Sequence, residues 1–253
     1  MTAEDMTTTE ARMEVDEEAS STPASLIIPI TSSSQSKNLF IEIFPEEISE
    51  IPSSTLLTVL KDEDADLDVW ADAALMYMQH KQSRESSTIL QAACDRPGGS
   101  RDQRVRILAS AGIAHLTQAA DKERSLADHR FTSAGKVDTL FPMTWMGRGM
   151  LNLSMGRMDQ AKFFFDTTLK QCGQVLPALL GMAAVLMGEK DYKGAQEMYA
   201  KAIRLYPEQS GAAARVGFGL SCYRLGQVRA VVVASPLIVC TMLLFSIPLC
   251  LLL

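Results

Sequence analysis

The chain has 253 residues, 47% of them hydrophobic and only 6% aromatic, with a net charge of −6. That is enough apolar material for one continuous core or repeat array, and the composition favours helices over strands. Five cysteines without a C-x-x-C pair, and an acidic N-terminus with no apolar stretch, argue against a disulfide scaffold or a signal peptide and for a reducing compartment.

Charge is unevenly spread. Residues 1–68 hold 16 acids and three bases, whereas residues 69–253 hold 14 acids and 21 bases. A solvated helical surface accounts for that mild basic excess, so direct nucleic-acid binding is not expected. Residues 1–38 read as a disordered, acidic, Ser/Thr-rich leader, broken only by a short apolar interruption at Leu26–Ile30. Residues 39–68 read as a docking segment and a short helix. Within them Leu39–Phe44 is a short strand or an extended segment, and Pro45 and Pro52 punctuate the chain before a helix begins near Ser53.

The informative feature is an internal repeat offset by 34 residues, which sets Trp145–Lys170 over Leu179–Arg204. One copy carries Trp145, Gly149, Ala161 and Phe165; the next carries Leu179, Ala183, Ala195, Tyr199, Ala202 and Pro207. A large apolar residue, a small residue four on, Ala twelve later and an aromatic four beyond is the tetratricopeptide pattern. Each unit is then two antiparallel helices: small residues let the backbones approach, and the ring fills the gap to the next unit. Gly156 and Gly188 are expected at the turns between paired helices, where a positive φ is needed.

Residues 142–209 therefore hold two such repeats, flanked by degenerate units in 69–141 and an incomplete unit in 210–229. In the first of these, Trp70, Ala74, Tyr77, Leu90 and Ala93 stand at matching intervals. Arg101–Gln118 and Leu126–Phe141 form a further pair around a charged turn at Asp121–Arg124. The last unit starts near Ser210 and reaches its turn at Gly226. The fold class expected is all-α, a right-handed superhelical solenoid. Residues 230–253 are apolar on every face and contain Pro236 and Pro248, so they cannot supply an amphipathic second helix. They are either a membrane anchor, which would make the protein a tail-anchored adaptor on a cytosolic membrane face, or residues foreign to the ordinary reading frame.

Chemistry finds little footing. Asp62–Asp66 lacks the Gly and the bidentate Glu of a calcium loop, and Gly147-x-Gly149 and Gly217-x-Gly219 fall inside helices rather than between a strand and a helix. His80, His115 and His129 lack partners at ligand spacing and read as surface or cap residues. No catalytic, cofactor-binding or metal-ligating residue is expected. Met143, Met146, Met150, Met155 and Met158 read as repeat core, with an adaptable docking patch as the alternative. Arg148, Asn152 and Arg215 are the candidate groove contacts. Residues at the positions where one tetratricopeptide subclass clamps a terminal carboxylate are Met146, Met150, Pro177 and Gly181, which cannot do so.

The stretches I-E-I-F, E-E-I-S-E-I-P-S-S-T-L-L-T-V-L-K-D-E-D-A-D-L-D-V-W-A-D-A-A-L-M-Y, P-A-L-L-G-M-A-A-V-L-M-G-E-K-D-Y-K-G-A-Q-E-M-Y-A-K-A-I-R-L-Y-P and R-V-G-F-G-L-S-C-Y-R-L-G carry a closer likeness. From about Leu39 to Val228 the chain resembles the Cln-three-requiring-nine family, the large tetratricopeptide scaffold subunits of the RNA polymerase II-associated factor (Paf) complex. The resemblance implies a nuclear, non-enzymatic scaffold. Its partners would be the other Paf complex subunits and the RNA polymerase II machinery. Its roles would lie in transcription elongation and co-transcriptional histone modification, including histone H2B ubiquitination.

Overall fold

A computed structural model describes residues 25–30, 40–118 and 120–227. The chain first forms two short strands, β1 (Leu26–Pro29) and β2 (Phe40–Ile43), paired antiparallel with Leu26 opposite Ile43 and Ile28 opposite Ile41. Their period-2 alternation sends Leu26, Ile28 and Ile43 into the core and leaves Ile27 and Phe40 exposed. The apolar interruption at 26–30 thus differs from the leader in which the sequence places it, and a small sheet is added to the all-α expectation. Two four-residue strands are too short to stand alone, but paired and laid on a helix they bury one common face.

Two short helices follow, α1 (Pro45–Ile48) and α2 (Ser53–Asp62). Ile48, Leu56 and Leu60 join the sheet's inner face in one core with Trp70, Tyr77 and Leu90 of the first helix pair. Polar links fix the arrangement. Tyr77 Oη donates to the Ile51 carbonyl at 2.7 Å, and the Trp70 indole N–H to the Ala65 carbonyl at 3.1 Å. Arg96 lies 5.1 Å from the centre of the Trp70 ring and pairs with Asp64. These elements close the N-terminal end of the helical array, which would otherwise expose an apolar flank.

The array consists of α3 (Leu67–Gln79) with α4 (Ser83–Asp95), α5 (Arg101–Leu116) with α6 (Asp121–Val137), α7 (Pro142–Ser154) with α8 (Met158–Cys172), α9 (Leu176–Gly188) with α10 (Tyr192–Leu205), and α11 (Gly211–Arg224). Each of the first helices α3, α5, α7 and α9 packs on its own second helix and on the first helix of the next unit. Local signals start several of them. Ser100 and Gln103 form a reciprocal capping box at α5, Asp66 and Asp191 cap α3 and α10, and Pro142 stands in the first turn of α7. The acids at Asp121–Glu123 open α6 instead of forming a turn, as suits the positive end of a helix dipole.

Three turns inside units share one geometry, and a fourth follows α11. The N–H groups of Gln82, Arg157, Asp191 and Gln227 donate at 2.9 Å to the carbonyls of Tyr77, Asn152, Leu186 and Cys222, five residues back. The residue before each donor is left-handed: Lys81, Gly156, Lys190 and Gly226, at φ of 61°, 72°, 65° and 73°. Gly156 stands where the sequence expects it. In the next unit the positive φ falls on Lys190, and Gly188 is the last helical residue of α9.

Between the later units the packing rests on one ring from each of α6, α8 and α10. Phe131 and Phe165 are wholly buried, and each is bracketed by two glycines on successive first helices. A Cβ placed on Gly149 of α7 would stand 2.7 Å from Phe165, and one on Gly181 of α9 only 2.4 Å. Gly112 and Gly147 hold Phe131 in the same way, and Gly217 receives Tyr199. Behind each ring lie two small side chains: Ala127 and Ala134, Ala161 and Thr168, Ala195 and Ala202, all fully buried.

Gly181→Ala is expected to destabilise the fold by about 1–3 kcal/mol through overpacking. Gly135→Ala, whose new methyl would meet nothing closer than 3.9 Å, should be neutral or slightly stabilising. Phe165→Ala should cost roughly 3–5 kcal/mol. Thermal and urea denaturation of the three variants checks this order. Lys190→Gly should raise stability by about 0.5–1 kcal/mol in the same melts, because it removes a side chain from the left-handed region.

Candidate protein-docking face

The first helices present one continuous outer face. On α7 the residues Met143, Met146 and Met150 recur three and four apart, so they share a side of the helix. Pro177, Leu180 and Ala184 do the same on α9, and Val216, Leu220 and Tyr223 on α11. Met150, Val216 and Tyr223 are 44%, 48% and 50% exposed, high values for large apolar side chains. On α3 and α5 the face continues through Asp68, Asp72, Leu75, Arg106 and Ser110. Contacts across the helices tie these positions together: Arg106 Nη1 meets Asp68 Oδ1 at 2.7 Å, and Ser110 Oγ stands 4.0 Å from Met143 Sδ.

The face has two chemical halves. At the α3–α5 end, Gln103 donates to Asp68 at 2.8 Å and to Asp66 at 2.9 Å. The Gln103 hydrogen bond, with that of Arg106, holds the Asp68 carboxyl below its usual range, while burial pushes that of Asp72 up. From α7 onward the face is apolar and rich in thioethers, which adapt to the shape of a partner's side chains. Such a surface binds by covering apolar area and orients its ligand by the ionic end.

Apart from Pro207, the sequence-selected repeat residues lie where helices meet. Trp70, Ala161, Phe165, Leu179, Ala183, Ala195 and Ala202 are at most 1% exposed, and Gly149 is buried. Trp145 and Tyr199 are half-buried, and Pro207 is exposed in the loop after α10. The three candidate groove contacts fall off the first-helix face. Arg148 Nη2 donates to Thr132 Oγ1 at 3.3 Å and its guanidinium lies 5.9 Å from the centre of the Phe164 ring, so it sits between α6 and α8. Asn152 is 7% exposed and bonds back to the Arg148 carbonyl. Arg215 donates to the Pro207 carbonyl and lines a groove against α10.

The methionines divide. Met155 and Met158 pack against the Phe131 and Phe165 clusters, whereas Met143, Met146 and Met150 line the open face. His115 also differs from a surface or cap histidine: it is buried and meets Glu123 at 2.7 Å. Eight residues separate the two, and only the antiparallel α5–α6 pair brings them together. Phe131, Gly112, Gly147, Gly181 and Gly217 are further packing residues. Phe131 and Gly147 stand 34 residues before Phe165 and Gly181, so the repeat offset itself pairs them, whereas Gly112 stands 35 residues before Gly147 and Gly217 stands 36 after Gly181. Among the described residues, no group of His, Cys, Asp and Glu is placed to hold a metal, and no helix is long and apolar enough to cross a membrane. Residues 230–253, which raised the membrane reading, lie outside the described residues.

Residues 176–209 match the tetratricopeptide repeat family model. Over 223 residues the chain is 29% identical to the protein CTR9 homolog of Arabidopsis thaliana, covering 81% of this chain and 19% of that one. Over 205 residues it is 27% identical to the RNA polymerase-associated protein CTR9 of Caenorhabditis elegans, covering 74% and 18%. The chain resembles a segment of CTR9. It spans about a fifth of the length of these CTR9 relatives. Two solved structures share the fold alone. A tetratricopeptide-repeat protein of Thermus thermophilus superposes with a TM-score of 0.56 at 15% identity, over 68% of this chain and 91% of that one. The Cut9–Hcn1 assembly of the APC/C gives 0.62 at 14% identity, over 75% and 35%.

The Asp68 contacts give a pH dependence with a definite sign. Its folded value is below the ordinary 3.8, so its stabilisation is present above that value and is lost as pH falls through the lower folded one. Asp68→Asn is expected to destabilise the fold at pH 7, by less than about 1 kcal/mol because the side chain is 44% exposed. The gap to the parent should narrow below pH 3.8 in paired melts.

Proposed function

We propose that this chain is a non-enzymatic scaffold segment that holds protein partners in an RNA polymerase-associated assembly in the nucleus. Those partners are subunits of the Paf complex, and through them the chain serves RNA polymerase II elongation and co-transcriptional histone modification, including histone H2B ubiquitination. The observation that carries the reading is the extent of the CTR9 likeness. It runs over 81% of the chain, whereas the generic repeat model accounts for residues 176–209 alone. The first-helix face supports it, because an open apolar stripe with an ionic end suits a partner helix or extended peptide and offers nothing to a small substrate.

Affinity capture of the tagged full chain from nuclear extract tests the proposal. Polymerase-associated subunits are expected among the captured proteins. The pair Met150→Glu and Leu180→Glu, on the open face, should reduce their recovery about tenfold, equivalent to ~1.4 kcal/mol, without changing the far-ultraviolet circular dichroism. Capture free of such subunits, or capture indifferent to the two charges, would defeat it.

A further inference from the structure

On the docking face Asp68 and Asp72 share one cation, Arg106. Asp68 takes it, at 2.7 Å, together with the Gln103 amide at 2.8 Å. Asp72 stands one turn further along α3 and has no hydrogen bond or ion pair of its own among the described residues. Burial pushes its half-buried carboxyl up by more than Arg106 pulls it down. An ionised Asp72 therefore destabilises the fold, and a cation brought from outside would relieve that strain.

Beyond this acid the face is uncharged at the stripe positions of α7 and α9, where Met143, Met146, Met150 and Leu180 take over. Packed helices stand about 8–10 Å apart, and α5 alone separates α3 from α7, so Asp72 lies about 20 Å from the methionines. A ligand using both must bridge that distance, with about six residues of extended chain or about 13 of helix.

The chain's own remaining residues do not suit the pattern. Residues 1–24 hold seven acids and a single base, Arg12, so the acidic end repels them. Lys37 is followed by only Asn38 and Leu39 before β2 begins, which leaves no free apolar stretch to lie on α7. Residues 230–253 carry no charge, and Arg229 follows α11, four first helices along from α3.

We propose that the occupant of the docking face is a segment of another protein that sets a Lys or Arg against Asp72 and lays Leu, Met or Phe side chains on Met143, Met146 and Met150. This names the chemistry of the partner and rests on the scaffold reading.

The test uses the tagged full chain in nuclear extract, with p-benzoylphenylalanine in place of Met146 as a photocrosslinking probe. Mass spectrometry should find a segment of another protein, with a Lys or Arg about six residues from the cross-link if extended or about 13 if helical. A fluorescein-labelled synthetic peptide of that segment should bind the full chain saturably. Asp72→Asn should weaken it about tenfold and leave the thermal melt of the chain unchanged or slightly raised, while Asp72→Glu keeps most of the affinity. Ser in place of the peptide's basic residue should weaken binding to the parent equally and to Asp72→Asn hardly at all. A cross-linked segment with no base at that spacing, or a peptide indifferent to Asp72→Asn, would overturn the proposal. The scaffold reading would survive that result as long as Met150→Glu with Leu180→Glu still lowers recovery of polymerase-associated subunits. Cross-links confined to the chain's own residues or to a second copy would also overturn the proposal, and no cross-link at all would overturn both readings.

Discussion

A ring held between two glycines sets the distance between neighbouring units, and through it most of what the molecule presents to a partner. At Phe165 the gap between α7 and α9 has the thickness of one aromatic ring, since a single methyl on Gly149 or Gly181 would stand within 2.7 Å of it. Close-packed interiors do not yield to such an intrusion without moving a backbone. Repetition at Phe131 and Tyr199 brings successive first helices close enough for their outer side chains to merge into one surface. The continuity of the docking face follows from glycines that never appear on it.

The two chemical halves of that face also have structural origins. At the N-terminal end, the sheet and two short helices seal the flank of α3. The polar residues around Asp68 are thereby fixed by Gln103 and Arg106 into a junction between α3 and α5. Further along, no charge faces outward from α7 or α9 at the stripe positions, and methionine, leucine and small residues take over. A partner meeting both halves is oriented by the first and covered by the second.

The likeness to CTR9 and the likeness to distant tetratricopeptide structures speak to different links of the argument. The structures at 14–15% identity share helix-pair stacking and nothing finer. The CTR9 relatives share residues across four-fifths of the chain while extending far beyond it.

Sequence by itself determined what depends on local periodicity. The helical class, the Trp145 and Leu179 units, the small residues at 161 and 195 and the rings at 165 and 199 were legible, because helix pairs that must stack identically repeat their chemistry at a constant spacing. Tertiary structure decided whatever depends on residues far apart meeting. It showed the glycines that bracket Phe131 and Phe165, the burial of His115 against Glu123, and the pairing of Leu26–Pro29 with a strand that begins at Phe40. It also turned Arg148 and Asn152 away from the first-helix face while opening Met143, Met146 and Met150 on it. Spacing along a helix tells which side chains share a side, but only the neighbouring helices settle which side is covered.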